Sequence, residues 1–296
     1  MKILMTGASG FLGTNFLASY EHTTKDVCCI SSKKIKGFRT IICADHFYNE
    51  LKIDEPFETL LLFGAVTPKG FGQEMFVDYM TNFFSVFNLL NKLQSIPKKI
   101  IFASSVSVYK QDGVICEDTP LSSSDPYALS KIVCEEMLKD YCKRNGTSLL
   151  IARLGNLYGP GEDKYNKLIG GFLRSVFKNN AITLFTKGEE LRNLFYVGDV
   201  CKFLKNAITH DYGKQLVLNC CSKHHYTIKE IAETVISVTG QSAQILYSGE
   251  SSTSHIGNIR SDFYNTDLFQ KIWLNDNTEM PLPDGIEKTL ESFKNI

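Results

Sequence analysis

The chain has 296 residues, 43% of them hydrophobic, with lysine plus arginine and aspartate plus glutamate balanced at 32 each. That much apolar material can build one large or two moderate domains, which excludes a disordered chain, and the balanced charge offers no overall field to draw nucleic acid or an anionic membrane. No apolar run approaches bilayer-spanning length, and MKILMTGASG reaches its glycines too soon for a secretory signal, so a soluble protein with no membrane partner is expected. Short apolar runs predict strands at Lys2–Thr6, Asp26–Ile30, Thr40–Cys43, Thr59–Phe63, Lys99–Ala103 and Ser148–Arg153. Between the fourth and fifth, MFVDYMTNFFSVFNLLNKL carries apolar residues at helical spacing without glycine or proline, and the stretch Tyr127–Lys143 is a second long helix. Strands alternating with helices predict a doubly wound parallel sheet of the α/β class.

After Arg153 the texture changes to GNLYGPGEDKYN, a turn-rich segment, which places a domain boundary near here: a first domain over 1–155 and a smaller lobe over 156–192 and 222–296. A segment at about 193–221 returns to the main sheet as a helix and the strand QLVLNC. The lobe should hold helices near Thr227–Val238, near Asp267–Ile272 and after Pro283. Nine cysteines, odd in number and without a C-x-x-C motif, fit thiols in a reducing compartment and a cytoplasmic location. None of the six histidines stands at zinc-ligand spacing from another histidine or a cysteine, so no metal site is expected.

The first strand runs into TGASGFLG, where Gly7, Gly10 and Gly13 stand three apart. Glycines let the backbone turn tightly and approach a pyrophosphate, while the helix that follows presents its amides and the positive end of its dipole. This is a Rossmann-type dinucleotide turn, in which Gly7, Ser9, Gly10, Phe11, Leu12 and Gly13 are the candidate cofactor residues. The second strand ends ISSKK, with no carboxylate to grip the ribose hydroxyls of NAD. Ser31 and Ser32 suit hydrogen bonds to a 2′-phosphate and Lys33 suits its charge, with Arg39 a weaker helper, so NADP(H) is the expected cofactor, with NAD(H) possible.

Tyr127 and Lys131 stand four positions apart in PYALSK, and the fifth strand ends in FASSVSVY. Carboxyl ends of parallel strands line the ligand crevice, which can bring Ser104 and Ser105 to this helix. A lysine one turn away, with the positive ring of the cofactor, is expected to lower the phenol's pKa toward use as an acid and base, while the serine hydroxyl bonds the reacting oxygen. A second Y-x-x-x-K, Tyr48 with Lys52, lacks that setting and reads as structural.

Together TGASGFLG, ASSVSVY, PYALSK, RLGNLYGPG and ELRNLFYVGDV resemble the motifs of the extended short-chain dehydrogenase/reductase superfamily, in its NAD(P)-dependent nucleotide-sugar epimerase, dehydratase and reductase branch. The resemblance implies Ser105, Tyr127 and Lys131 as the catalytic set, Asp45 near the adenine, and Gly64, Ala65 and Val66 along the cofactor. It makes the smaller lobe the binder of a nucleotide-sugar, with Asn156 facing it and Arg192 or Arg260 on its diphosphate, and Ser105 touching the sugar. It further implies a homodimer joined through the helices around Val77–Leu93 and Pro126–Lys143. Dehydratases of that branch follow the catalytic hydroxyl with an acidic pair where this chain has Val106-Ser107, and reductases that also epimerise carry a cysteine at Val106 and a histidine at Gly161. Asn193 replaces the usual aspartate after the substrate arginine. The expected activity is NADPH-dependent reduction of a nucleotide-linked 4-keto (6-deoxy) sugar in polysaccharide synthesis; the alternatives are a 4-epimerase that retains NAD and a noncatalytic NADPH-binding sensor.

Overall fold

The computed structural model describes residues 1–20, 26–68, 76–109, 113–123, 125–248, 263–273 and 278–293. All six expected strands form, as β1 (Ile3–Thr6), β2 (Val27–Ser31), β3 (Arg39–Ile42), β4 (Thr59–Leu62), β5 (Lys99–Ser105) and Ser148–Leu154. With Gln215–Cys220 they make a seven-stranded sheet, all parallel, in the order Gln215–Cys220, Ser148–Leu154, β5, β4, β1, β2, β3. Every residue of β1, β2 and β4 is buried, as expected of parallel strands covered on both faces. The chain builds outward from β1 to β3, then crosses to the other side of β1 for β4. That reversal opens a crevice at the carboxyl ends of β1 and β4.

Three helices matter for the site: α1 (Phe11–Ala18), α2 (Phe76–Asn91) and α3 (Pro126–Asn145). The start of α3 is fixed by Asp125, whose carboxylate accepts from Tyr127 N at 2.8 Å, and by Pro126 in the first turn. Its end is fixed by Gly146 in the left-handed conformation, with Lys143 and Arg144 in the last turn to complement the dipole. Val86, Leu89 and Leu90 of α2 and Cys134, Leu138 and Cys142 of α3 share one buried cluster with Leu60, Ile100, Phe102 and Ile151 of the sheet. Tyr48, at φ 60°, packs against that cluster, which is a structural role.

The chain divides into two compact units, one over 1–110, 117–154 and 201–220, the other over 111–116, 155–200 and 221–296. The second has its own core, built from Leu173 and Val176 of α4 (Leu168–Asn179), Ile231 and Val235 of the helix Ile228–Thr239, and Ile286 of Leu282–Glu291. Thr227 and Glu230 form a reciprocal capping box at the start of Ile228–Thr239. The turn-rich segment after Arg153 contains a strand, Asn156–Tyr158, paired in parallel with Leu194–Tyr196. Leu191–Arg192 likewise pairs with Tyr226–Thr227. These pairings hold the residues from 193 onward in the second unit, so the returning segment begins at Cys201, inside the helix Val197–Thr209.

Candidate active site

β1 ends at Thr6, and Gly7 turns the chain at φ 73°. A Cβ on Gly7 would lie 2.5 Å from Gly64 N and 2.6 Å from Phe63 C, so only glycine passes there. A Cβ on Gly13 would collide with Gly7 O and stand 2.9 Å from Ala8 Cα, which lets α1 pack directly on the turn. Around Gly10, the N-cap of α1, the nearest obstacle is Gly7 O at 3.3 Å. The three glycines thus divide into a tight turn at Gly7, a snug N-cap at Gly10 and a close helix contact at Gly13, a turn of the kind that lets a backbone approach a pyrophosphate. Ser9 is exposed, and Phe11 and Leu12 are half-buried in the first turn of α1. Thr6 Oγ1 accepts from Gly64 N at 3.0 Å, tying the ends of β1 and β4, and the half-buried Gly64, Ala65 and Val66 follow.

At the end of β2, Ser31 is buried and its Oγ accepts from Lys33 N at 3.3 Å, while Ser32, Lys33 and Lys34 are exposed. Arg39 does not serve this end. It stands level with Cys28 in the sheet and pairs with Glu55, which also takes Lys2 Nζ at 2.6 Å. Asp45 caps its own turn, accepting from Phe47 N at 2.9 Å and Asn49 N at 2.6 Å. The first of these bonds, aided by the second, holds its carboxyl below the usual range.

β5 and α3 bring Ser105, Tyr127 and Lys131 together. The Tyr127 ring meets Tyr79 edge-on at 5.9 Å, and the Ser105 side chain lies close enough to act on the Tyr127 hydroxyl. Lys131 is buried; its Nζ donates to Ala103 O at 2.8 Å and stands 4.8 Å over the Phe102 ring. Burial pushes the Tyr127 phenol up to about 12, against the influence of Ser105 and with Asp125 and Tyr79 adding to the rise. Burial also brings Lys131 down to about 8, against the pull of Cys134 and Glu135. In the chain by itself burial is the largest influence on the phenol, whereas the lowering expected from the sequence counts the positive ring of the cofactor together with the lysine. Nζ is turned to the Ala103 carbonyl, 5.9 Å from the centre of the phenol ring.

Two supports of this set escaped the sequence reading. The buried Asn82 of α2 accepts from Val66 N at 2.6 Å and donates to Val66 O and Ser130 Oγ, both at 3.0 Å. Ser130 Oγ in turn donates to Tyr127 O at 2.7 Å. Behind Ser105, Glu135 accepts from Ser104 Oγ and from Arg153, Nη2 at 2.7 Å and Nε at 3.2 Å. Arg153 Nη1 also donates to Tyr109 Oη at 2.5 Å and Glu117 O at 2.9 Å, and Tyr109 Oη donates to Asn219 Oδ1 at 2.8 Å. The one sequence signal for this network was Glu135 itself, a full charge on the Lys131 face of α3, four residues on.

In the second unit, Asn156 is exposed at the start of its strand, and Arg192 is half-buried, its Nη1 donating to Leu191 O at 2.9 Å. Asn193 is buried and latches the next segment, donating to Ser222 O at 2.6 Å and His224 O at 3.1 Å and accepting from Ser222 N at 3.2 Å. An aspartate could not make the two donations. Arg260 lies outside the described residues.

Residues 3–221 match the NAD dependent epimerase/dehydratase family, from the first residue of β1 to just past the last sheet strand. The chain belongs to this family. Among its relatives, a putative UDP-glucose 4-epimerase of Methanocaldococcus jannaschii is 24% identical over 83% of this chain and 85% of its own length. Mouse dTDP-D-glucose 4,6-dehydratase is 23% identical over 99% of this chain and 88% of its own. The fold matches that of UDP-glucuronic acid 4-epimerase from Bacillus cereus, solved with UDP-glucuronic acid and NAD, with a TM-score of 0.79, 20% identity and coverage of 99% and 98%. Within this family member, no helix among the described residues is long and apolar enough to cross a membrane.

Proposed function

We propose that this epimerase/dehydratase family member is an NADPH-dependent oxidoreductase that reduces a nucleotide-linked 4-keto (6-deoxy) sugar. The observation that carries the reading is the hydroxyl pair of Ser105 and Tyr127 beside a buried Lys131, at a strand end followed by Val106 and Ser107 rather than by acids. Gly7, Gly10 and Gly13 suit the cofactor's pyrophosphate, and Gly64, Ala65 and Val66 suit its flank. When bound, the cofactor would supply the hydride and the positive ring. Tyr127 would give its proton to the ketone oxygen, Ser105 would donate a hydrogen bond to that oxygen, and Lys131 would favour the phenolate left behind. Asn156 and Arg192 would bind the nucleotide-sugar. The exposed Ser32 and Lys33, with no carboxylate at the end of β2, favour NADP(H) over NAD(H).

The purified protein is expected to consume NADPH with a nucleotide-4-keto-6-deoxyhexose faster than NADH. Ser32→Asp with Lys33→Ala should reverse that preference by repelling the 2′-phosphate and removing its counter-charge. The second reading, a 4-epimerase that keeps its NAD, is favoured by the NAD and UDP-sugar named with the Bacillus cereus enzyme. Protein that purified with NAD and interconverted UDP-glucose and UDP-galactose without net loss of cofactor would establish it and defeat the first.

A homodimer belongs to the same proposal. Val77, Phe84 and Phe87 of α2 and Leu129 and Val133 of α3 are exposed, more apolar surface than a lone helix pair leaves in water. Pairing this face with its copy would build a four-helix bundle. Light scattering should give twice the chain mass, and Phe84→Glu with Phe87→Glu should halve it; a monomeric wild type at micromolar concentration would refute the dimer.

A further inference from the structure

We propose that Asn193 is a positioning residue for Arg192: its amide pins the point from which the arginine reaches the nucleotide-sugar. The inference rests on the part given to Arg192 above. Asn193 stands where the chain changes partners. Arg192 pairs antiparallel with Tyr226, while Leu194 pairs in parallel with Asn156, so the residue between them belongs to neither ladder. It is buried, and its side chain turns into the loop 222–225. Oδ1 accepts from Ser222 N at 3.2 Å, and Nδ2 donates to Ser222 O at 2.6 Å and to His224 O at 3.1 Å, with His225 Nε2 at 3.4 Å from the same nitrogen. A backbone N–H can only donate and a carbonyl only accept, so these backbone partners fix which way the amide faces.

The amide is also backed by the chain behind it. A Cβ on Gly155 would lie 3.4 Å from Asn193 Oδ1 and 3.0 Å from Cys221 Sγ, so the bare backbone of residue 155 lies against the Asn193 side chain. Arg192 itself belongs to a strand of two residues, Leu191–Arg192, a short ladder on which to base a long side chain. The neighbouring amide supplies the hold that this ladder lacks. The loop is matched to asparagine, because it turns two carbonyl oxygens on the side chain. A carboxylate in the same place only accepts, so both carbonyls would lose their partner inside the protein, where an unpaired polar group is costly. An aspartate at 193 should therefore loosen the anchor, and the first group to feel it should be Arg192.

The test is binding and needs no turnover. UDP, dTDP, GDP and CDP would be titrated into the wild type by calorimetry, and the tightest of the four used with every variant. Arg192→Ala and Asn193→Asp should each weaken it by about tenfold, close to the loss of one oriented contact. NADPH affinity, read on the same samples, should stay at the wild-type value. With Arg192→Ala already in place, Asn193→Asp should add no more than about twofold, because the group it positions is gone. Should the aspartate variant fail to fold, Asn193→Ala, which removes the bonds without adding a charge, carries the same comparisons. A position-193 variant that binds like the wild type would overturn the inference, as would a full further loss in the Arg192→Ala background or a parallel loss of NADPH affinity. Arg192→Ala at wild-type affinity, or a wild type that binds none of the four, would defeat the proposed contact of Arg192 and this inference with it, a failure distinct from the others.

Discussion

Replacing Tyr127 by phenylalanine is expected to lower turnover by about a thousandfold, near the middle of the range for loss of a positioned proton donor. The substitution keeps the ring that meets Tyr79 edge-on and removes only the phenol oxygen. Cofactor affinity, which the proposed function assigns to the turn at Gly7 and the start of α1, should stay close to that of the wild type. Lys131→Ala should weaken both properties, since Lys131 packs over Phe102 and holds the Ala103 carbonyl as well as facing the tyrosine. Steady-state rates with cofactor titration by fluorescence separate the two outcomes. Near-normal turnover by the phenylalanine variant would show that another group is the acid.

The largest expected stability effect lies behind the site. Arg153 and Glu135 are almost fully buried, 2% and 0% exposed, and the arginine makes four hydrogen bonds there. Arg153→Leu leaves the Glu135 carboxylate buried without its counter-charge, and removing one partner of such a pair costs about 3–5 kcal/mol. Replacing both residues by leucine removes the stranded charge, so the double variant should recover much of the loss. Urea unfolding of the wild type, both single variants and the double variant closes the cycle. Equal destabilisation by the double and single variants would show that packing, not charge, carries the effect.

The contrast between Tyr127 and its supports shows what the sequence could disclose. Parallel strands buried on both faces read as unbroken apolar runs, so VCCI and TLLL announced β2 and β4 by themselves. Tyr127, Lys131 and the glycines were readable as candidates because their spacing along one helix or one turn is local in the chain. Asn82 was silent because its partners, Val66 and Ser130, come from other parts of the chain and leave no periodic trace. Arg153 sits in a strand among apolar residues and meets its acid only after α3 has packed. The strand Asn156–Tyr158 was hidden for the same reason, since it exists only through Leu194–Tyr196. Arg39 was misjudged because sequence distance from ISSKK says nothing about which end of β3 it occupies.

Asn82 also bears on the thermodynamics of loading the cofactor. Its amide holds Val66 by both backbone groups and reaches the Tyr127 turn of α3 through Ser130, so two walls of the crevice share one internal anchor. A segment already pinned in this way has little conformational entropy left to lose when a ligand arrives. Under the proposed function Val66 would meet an incoming dinucleotide as a preorganised surface, while the exposed Ser32–Lys34 end of β2 would contribute side chains not anchored in this way. The proposed selectivity between phosphorylated and unphosphorylated cofactors would then rest on exposed side chains and not on the anchored wall.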